Sequence, residues 1–115
     1  NMKKLDDLRI YIKSIELIKQ IYQLINKNKE LNRDFSLCDQ IKRASVSVAA
    51  NIAEGYYRSQ RQTKNYLGIA SGSANEVVTL LVIINSVYGL NTEDLQNEYK
   101  VLGKQINAFS KTIFY

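Results

Sequence analysis

The run Val77-Val78-Thr79-Leu80-Leu81-Val82-Ile83-Ile84 decides the fold. Taken alone it reads as a buried strand, being short, unbroken and rich in β-branched residues. The reading changes as the window widens. Tyr66, Ile69, Ala70, Ser73, Val77, Leu80, Leu81, Ile84 and Val87 recur at three- and four-residue spacing, so one helical period passes straight through the run. Context therefore overrides local propensity. Ser59-Gln60-Arg61-Gln62 has the pattern of a capping box and Gly89 that of a helix stop, which predicts a helix over 61–88.

Three more helices follow from the same reasoning on either side. Leu8, Tyr11, Ile12, Ile15, Ile18, Tyr22 and Ile25 predict an amphipathic helix over 5–27, with this stripe facing the core. The polar stretch from Asn26 to Asp34 reads as a loop. Ser36-Leu37-Cys38-Asp39 resembles a capped start, and Leu37, Ile41, Ala44, Val48, Ile52 and Gly55 form the core stripe of a helix over 36–58. Asn91-Thr92-Glu93-Asp94 restarts the chain, and Leu95, Tyr99, Leu102, Ile106, Phe109 and Ile113 carry a helix over 92–113. The expected fold is all-α, an antiparallel up-and-down four-helix bundle forming one domain over 1–115.

Composition narrows the chemistry. The 115 residues include five Gly, no Pro, one Cys and no His, so a His–Cys zinc site, a Ser–His–Asp triad, a Cys–His pair and an intrachain disulfide are all excluded. The expectation is a protein that binds or assembles, not an enzyme, with no cofactor and no metal. Glu54 and Glu76 alone would have to supply any acid–base pair or cation site, and neither has a nucleophile or a third carboxylate on its face. Sixteen Lys and Arg against eleven Asp and Glu give a net charge of +5, which permits a nucleic-acid or anionic protein partner. Between Asn65 and Asn91 Glu76 is the only charge, so the centre of the chain is expected to be buried. No apolar run approaches the ~20 residues that span a bilayer, and no leader pattern is visible. A cytoplasmic protein without a membrane role is expected.

The helices carry more apolar surface than one core uses. Val46, Ala50, Ala53 and Tyr57 lie opposite the core stripe of the 36–58 helix. On the 61–88 helix Leu67, Ala74, Val78 and Val82 lie off the main stripe, and Gly68 and Gly72 stand one turn apart. The first helix adds Ile10, Leu17, Ile21 and Leu24 on its second side. An exposed mid-helix glycine costs ~1 kcal/mol relative to alanine, so a pair in register suggests the close approach of another backbone. A homo-oligomer is expected, with Val46, Ala50, Ala53, Tyr57, Gly68 and Gly72 on its contact face.

A polar stripe flanks the core stripe of the 36–58 helix. Gln40, Arg43, Ser47, Asn51, Glu54 and Arg58 step by three and four residues among small neighbours. A carboxylate near apolar packing needs a partner, which predicts a half-buried network of Arg43, Asn51, Glu54 and Glu76. Arg9, Lys13, Arg58, Arg61 and Lys64 are the candidate phosphate contacts, with Tyr56 and Tyr57 as stacking platforms.

The segment Ser45-Val46-Ser47-Val48-Ala49-Ala50-Asn51-Ile52-Ala53-Glu54-Gly55, preceded by Gln40-Ile41-Lys42-Arg43-Ala44 and followed by Gly72-Ser73-Ala74-Asn75-Glu76, carries a resemblance. It is similar to the four-helix bundle proteins encoded in bacterial ribosomal-RNA intervening sequences, over nearly the whole chain. One departure is Ala49, where that family often has a proline two residues before the asparagine. The family in turn is similar to accessory proteins of diversity-generating retroelements. The resemblance implies a homopentamer of four-helix bundles that binds nucleic acid and a reverse transcriptase, or acts with a ribosomal-RNA insertion. The competing expectation is a protein–protein scaffold with no nucleic-acid role.

Overall fold

Val77, Leu80, Leu81 and Ile84 lie buried on one side of a continuous 29-residue helix, Gln60–Tyr88, in the computed structural model. The run is therefore helical. Ser59 Oγ accepts from the Gln62 N–H at 3.4 Å, and Gly89, at φ +66°, ends the helix by donating to the Asn85 carbonyl at 2.9 Å. Leu5 and residues 8–113 are described. The elements are α1 (Arg9–Lys27), α2 (Lys29–Arg33), α3 (Phe35–Tyr56), α4 (Gln60–Tyr88) and α5 (Glu93–Lys111), with no strand among the described residues.

Short connections set the directions. α2 and one residue on each side of it are too short to traverse α1, whose 19 residues extend about 28 Å, so α1 must fold back along α3. The Lys42 ammonium then sits 5.0 Å above the Tyr22 ring. Along α3 and α4, Ser47 meets Ser73 and Gly55 meets Tyr66, an antiparallel order. Along α4 and α5, Lys64 reaches Ser110 and Ala74 lies against Gly103, while Thr92 Oγ1 donates to the Leu81 carbonyl at 2.7 Å. α1 packs on α3 and α5, α3 on α4, and α4 on α5. Around the bundle the order is α1, α3, α4, α5, which places the α1/α5 face opposite the α3/α4 face. The molecule is a cylinder of 47 × 22 × 20 Å.

Several expectations are corrected. α1 turns its other side inward: Ile10, Leu17 and Ile21 are buried, whereas Ile12, Ile15 and Tyr22 are exposed, and of the expected stripe only Ile25 is fully buried. On α4, Leu67 and Ala74 belong to the core and Ile69 and Val87 face outward. Both helices are apolar on more than one side, so spacing alone leaves their rotation open. Helix α3 carries the stripe as expected, with Ile41, Ala44, Val48, Ile52 and Gly55 buried. The Asn26–Asp34 loop contains α2, held by buried Leu31, whose carbonyl accepts from the Cys38 thiol at 3.0 Å. Burial raises the Cys38 pKa, which keeps the thiol protonated. Helix α1 is assigned from Arg9; of the residues before it in the 5–27 expectation, Asp6 and Asp7 lie outside the described residues. Helix α4 is long and apolar enough by composition to cross a membrane, but in the bundle its Leu67, Ala70, Ala74, Val77, Leu80, Leu81 and Ile84 lie buried in the core.

Asp34, not Ser36, caps α3. Its Oδ1 accepts from the Leu37 N–H at 3.1 Å, and its Oδ2 accepts from the Tyr88 hydroxyl at 2.7 Å, tying the end of α4 to the start of α3. The Tyr88 hydroxyl and then the Leu37 N–H lower the Asp34 pKa below 3.8. A depressed folded-state pKa contributes stability that is present above the unfolded value and lost as pH falls through the folded one. Asp34→Asn is therefore expected to reduce stability at neutral pH and to flatten its loss below about pH 4. Urea midpoints of both proteins between pH 7 and pH 2 would show it; parallel curves would refute the assignment.

Candidate nucleic-acid interface and assembly faces

At the α3–α4 corner the backbone is locked from within. Thr63 is buried, and its Oγ1 donates within reach of the Gly55 carbonyl at 2.7 Å and the Ser59 carbonyl at 3.0 Å. This corner carries three of the predicted phosphate contacts. Arg58 pairs with Glu54 one turn back and lies 5.9 Å over the Tyr66 ring. Its pKa is raised by hydrogen bonding to Glu54. Lys64 is half-buried, and its ammonium donates to the Ser110 carbonyl at 2.9 Å and the Ile113 carbonyl at 3.1 Å. It thus serves a carbonyl in the last turn of α5 and one just past its end, where a cation also meets the negative end of the helix dipole. Arg61 is exposed on the first turn of α4. Tyr56 and Tyr57 pack edge to face with centroids 4.8 Å apart, Tyr56 half-buried and Tyr57 exposed.

Arg9 and Lys13 lie elsewhere, in a groove of about 530 Å³ between α1 and α5 that Ile12, Glu16, Glu98, Val101 and Gln105 complete. Lys13 pairs there with Glu98 and, at 3.8 Å, with Glu16; hydrogen bonding to Glu98 raises its pKa. Arg9 makes no ion pair among the described residues. The five predicted contacts therefore divide between two places. Sequence spacing missed the groove because its walls come from helices far apart in the chain.

The predicted polar network does not form within the chain. Arg43 pairs with Asp39 at 2.9 Å, Glu54 with Arg58, and Asn51 Nδ2 donates to the Ser47 carbonyl at 2.8 Å. Each finds a partner one turn away on its own helix, which sequence proximity makes cheaper in entropy than a bond across helices. Glu76 is exposed and makes no ion pair among the described residues. What joins the two helices is smaller: Ser47 Oγ and Ser73 Oγ, 2.8 Å apart.

The proposed contact face is exposed for the most part. Val46, Ala50 and Tyr57 are exposed and Ala53 is half-buried on α3. Gly68 and Gly72 are exposed on α4, and a Cβ built on either meets no atom within 4 Å. Nothing inside the bundle requires glycine there.

The model of a protein family, the 23S rRNA-intervening sequence proteins, matches residues 6–111. The chain belongs to that family. A solved relative of these intervening-sequence proteins agrees with the bundle: a protein of unknown function from the S23 ribosomal protein family of Bacteroides thetaiotaomicron superposes with a TM-score of 0.80. The two are 25% identical, over 89% of this chain and 98% of the other. No curated protein matches this intervening-sequence protein.

Proposed function

We propose that this intervening-sequence protein is a non-enzymatic, cytoplasmic accessory protein that self-assembles and binds the nucleic-acid backbone through basic surfaces. The supporting observation is the placement of charge along the cylinder. Arg58, Arg61, Lys64 and Lys111 gather where α3 ends, α4 begins and α5 ends, and among the described residues of those segments Glu54 is the one carboxylate. At the other end Glu30, Asp34, Glu93 and Asp94 offset Lys27, Lys29 and Arg33. A basic end on an elongated body suits phosphate contacts, with shape and backbone recognised before base identity. Repetition of that end in an assembly would raise affinity by linking several weak sites. The family name makes structured ribosomal RNA the natural first ligand, and the similarity to accessory proteins of diversity-generating retroelements makes a reverse transcriptase the protein partner to try.

The test is binding to structured RNA and to duplex DNA of equal length in a salt series. Phosphate-driven binding should weaken by orders of magnitude between ~50 and ~200 mM salt. Arg58→Glu with Arg61→Glu should lower affinity at least ~10-fold and flatten the salt slope while the helical circular dichroism is kept. Lys64 is left intact because it caps α5. No binding at ~50 mM salt would overturn the nucleic-acid role, and a protein–protein scaffold would take its place.

A further inference from the structure

Six consecutive residues at the α3–α4 corner, Tyr57-Arg58-Ser59-Gln60-Arg61-Gln62, are exposed, with two cations and no acid among them. Tyr57 supplies the one aromatic ring of this stretch and is 67% exposed. It follows the last residue of α3, so it stands at the end of the cylinder and not along the side that carries Val46 and Ala50. Its ring is set edge to face against that of Tyr56, with centroids 4.8 Å apart. The backbone beneath is fixed. Thr63 Oγ1 lies 2.7 Å from the Gly55 carbonyl and 3.0 Å from the Ser59 carbonyl, which bracket Tyr57, and Gly55 approaches Tyr66 too closely to admit a Cβ. Beside the ring, the Arg58 guanidinium is laid over Tyr66 at 5.9 Å and tied to Glu54, with the side chain still 46% exposed.

A cation recognises phosphate, which single strand and duplex both present. An exposed aromatic ring recognises the π-face of a base, and in a duplex those faces are covered by the adjacent pairs. We infer that Tyr57 is a stacking platform for an unpaired base, so that the corner holds single-stranded nucleic acid, a loop or a free strand, by a contact that duplex cannot offer. This rests on the nucleic-acid part of the proposed function and adds which feature of the polynucleotide that end recognises. Arg58 and Arg61 hold the flanking phosphates. The Gln60 and Gln62 amides both donate and accept, which tolerates any base edge. Selection is for form and not for sequence, because every base has a π-face. A ring on a fixed corner is already in place, so little ordering entropy is lost on binding.

The experiment measures the affinity of the full chain for three probes of equal length across a salt series: a single-stranded RNA without self-complementarity, the single-stranded DNA of the same sequence, and the RNA duplex. Tyr57→Ala should lower single-strand affinity by about 5–100-fold, the range for losing one stacked base, and leave duplex affinity within about 2-fold. The slope of log affinity against log salt should not change, since no charge is removed. Tyr57→Phe keeps the ring and should bind as the unmodified chain does. The position is exposed, and unchanged helical circular dichroism would exclude misfolding. Whether the loss falls on the RNA strand, the DNA strand or both identifies the source of the bases. No binding of any probe would overturn the nucleic-acid reading itself. Binding that Tyr57→Ala leaves unchanged, or weakens equally on single strands and duplex, would keep that reading and overturn the stacking site.

Discussion

Leu17→Ala is expected to lower the free energy of unfolding by about 2–5 kcal/mol, while Ile12→Ala, five residues away on the same helix, changes it by less than about 1 kcal/mol. Leu17 is fully buried between α1 and the rest of the core, so truncation removes apolar contact and leaves a cavity that packed neighbours fill only in part. Ile12 is half exposed on the groove wall and loses little. Urea unfolding at concentrations where the chain is monomeric is the measurement, because assembly over Ile12 would add a second cost there. Equal losses at the two positions, or the larger one at Ile12, would mean that α1 is rotated from the orientation described. The contrast matters because hydrophobic spacing favours the opposite rotation, with Ile12 inside.

Gly55→Ala is expected to destabilise by about 1–3 kcal/mol, although alanine is the better helix former by ~1 kcal/mol. A Cβ at this position would stand 2.7 Å from Tyr66 Cβ and 3.5 Å from the Thr63 backbone. Neither obstacle is the far end of a side chain, so a change of rotamer cannot relieve it. The backbone is also held, since Thr63 Oγ1 donates to the Gly55 carbonyl at 2.7 Å. The start of α4 must therefore move away from the end of α3, disturbing the corner that carries Arg58 and Arg61. Gly72→Ala is the control: nothing lies within 4 Å of its Cβ, and the monomer should gain up to ~1 kcal/mol. A neutral or stabilising Gly55→Ala would refute the close approach.

Much of this protein is legible one helix at a time. The Ser59 cap, the Gly89 stop and the stripe from Ile41 to Gly55 are signals within a single turn or a single period, and each reappears in the folded chain. The Asp34 cap was obscured by Ser36, an equally good capping residue two positions on, because only the meeting with Tyr88 makes Asp34 the better site. Among candidate site residues, Arg58 and Arg61 do sit together at a basic end. Lys64 does not act as a free cation, because the carbonyls it binds, in the last turn of α5 and just past its end, are 46 and 49 residues away.

The amino-acid sequence by itself determined the helical class and the approximate helix boundaries, because caps, stops and periodicity act over a few residues. It also determined that apolar surface exceeds the needs of one core, since that follows from counting faces. Only the tertiary structure decided which face of α1 and α4 turns inward, which cations are engaged, and that α1 and α5 form a groove. Those outcomes depend on which side chains meet across helices. A helix apolar on two sides satisfies its local pattern in either rotation, and packing against its neighbours selects one.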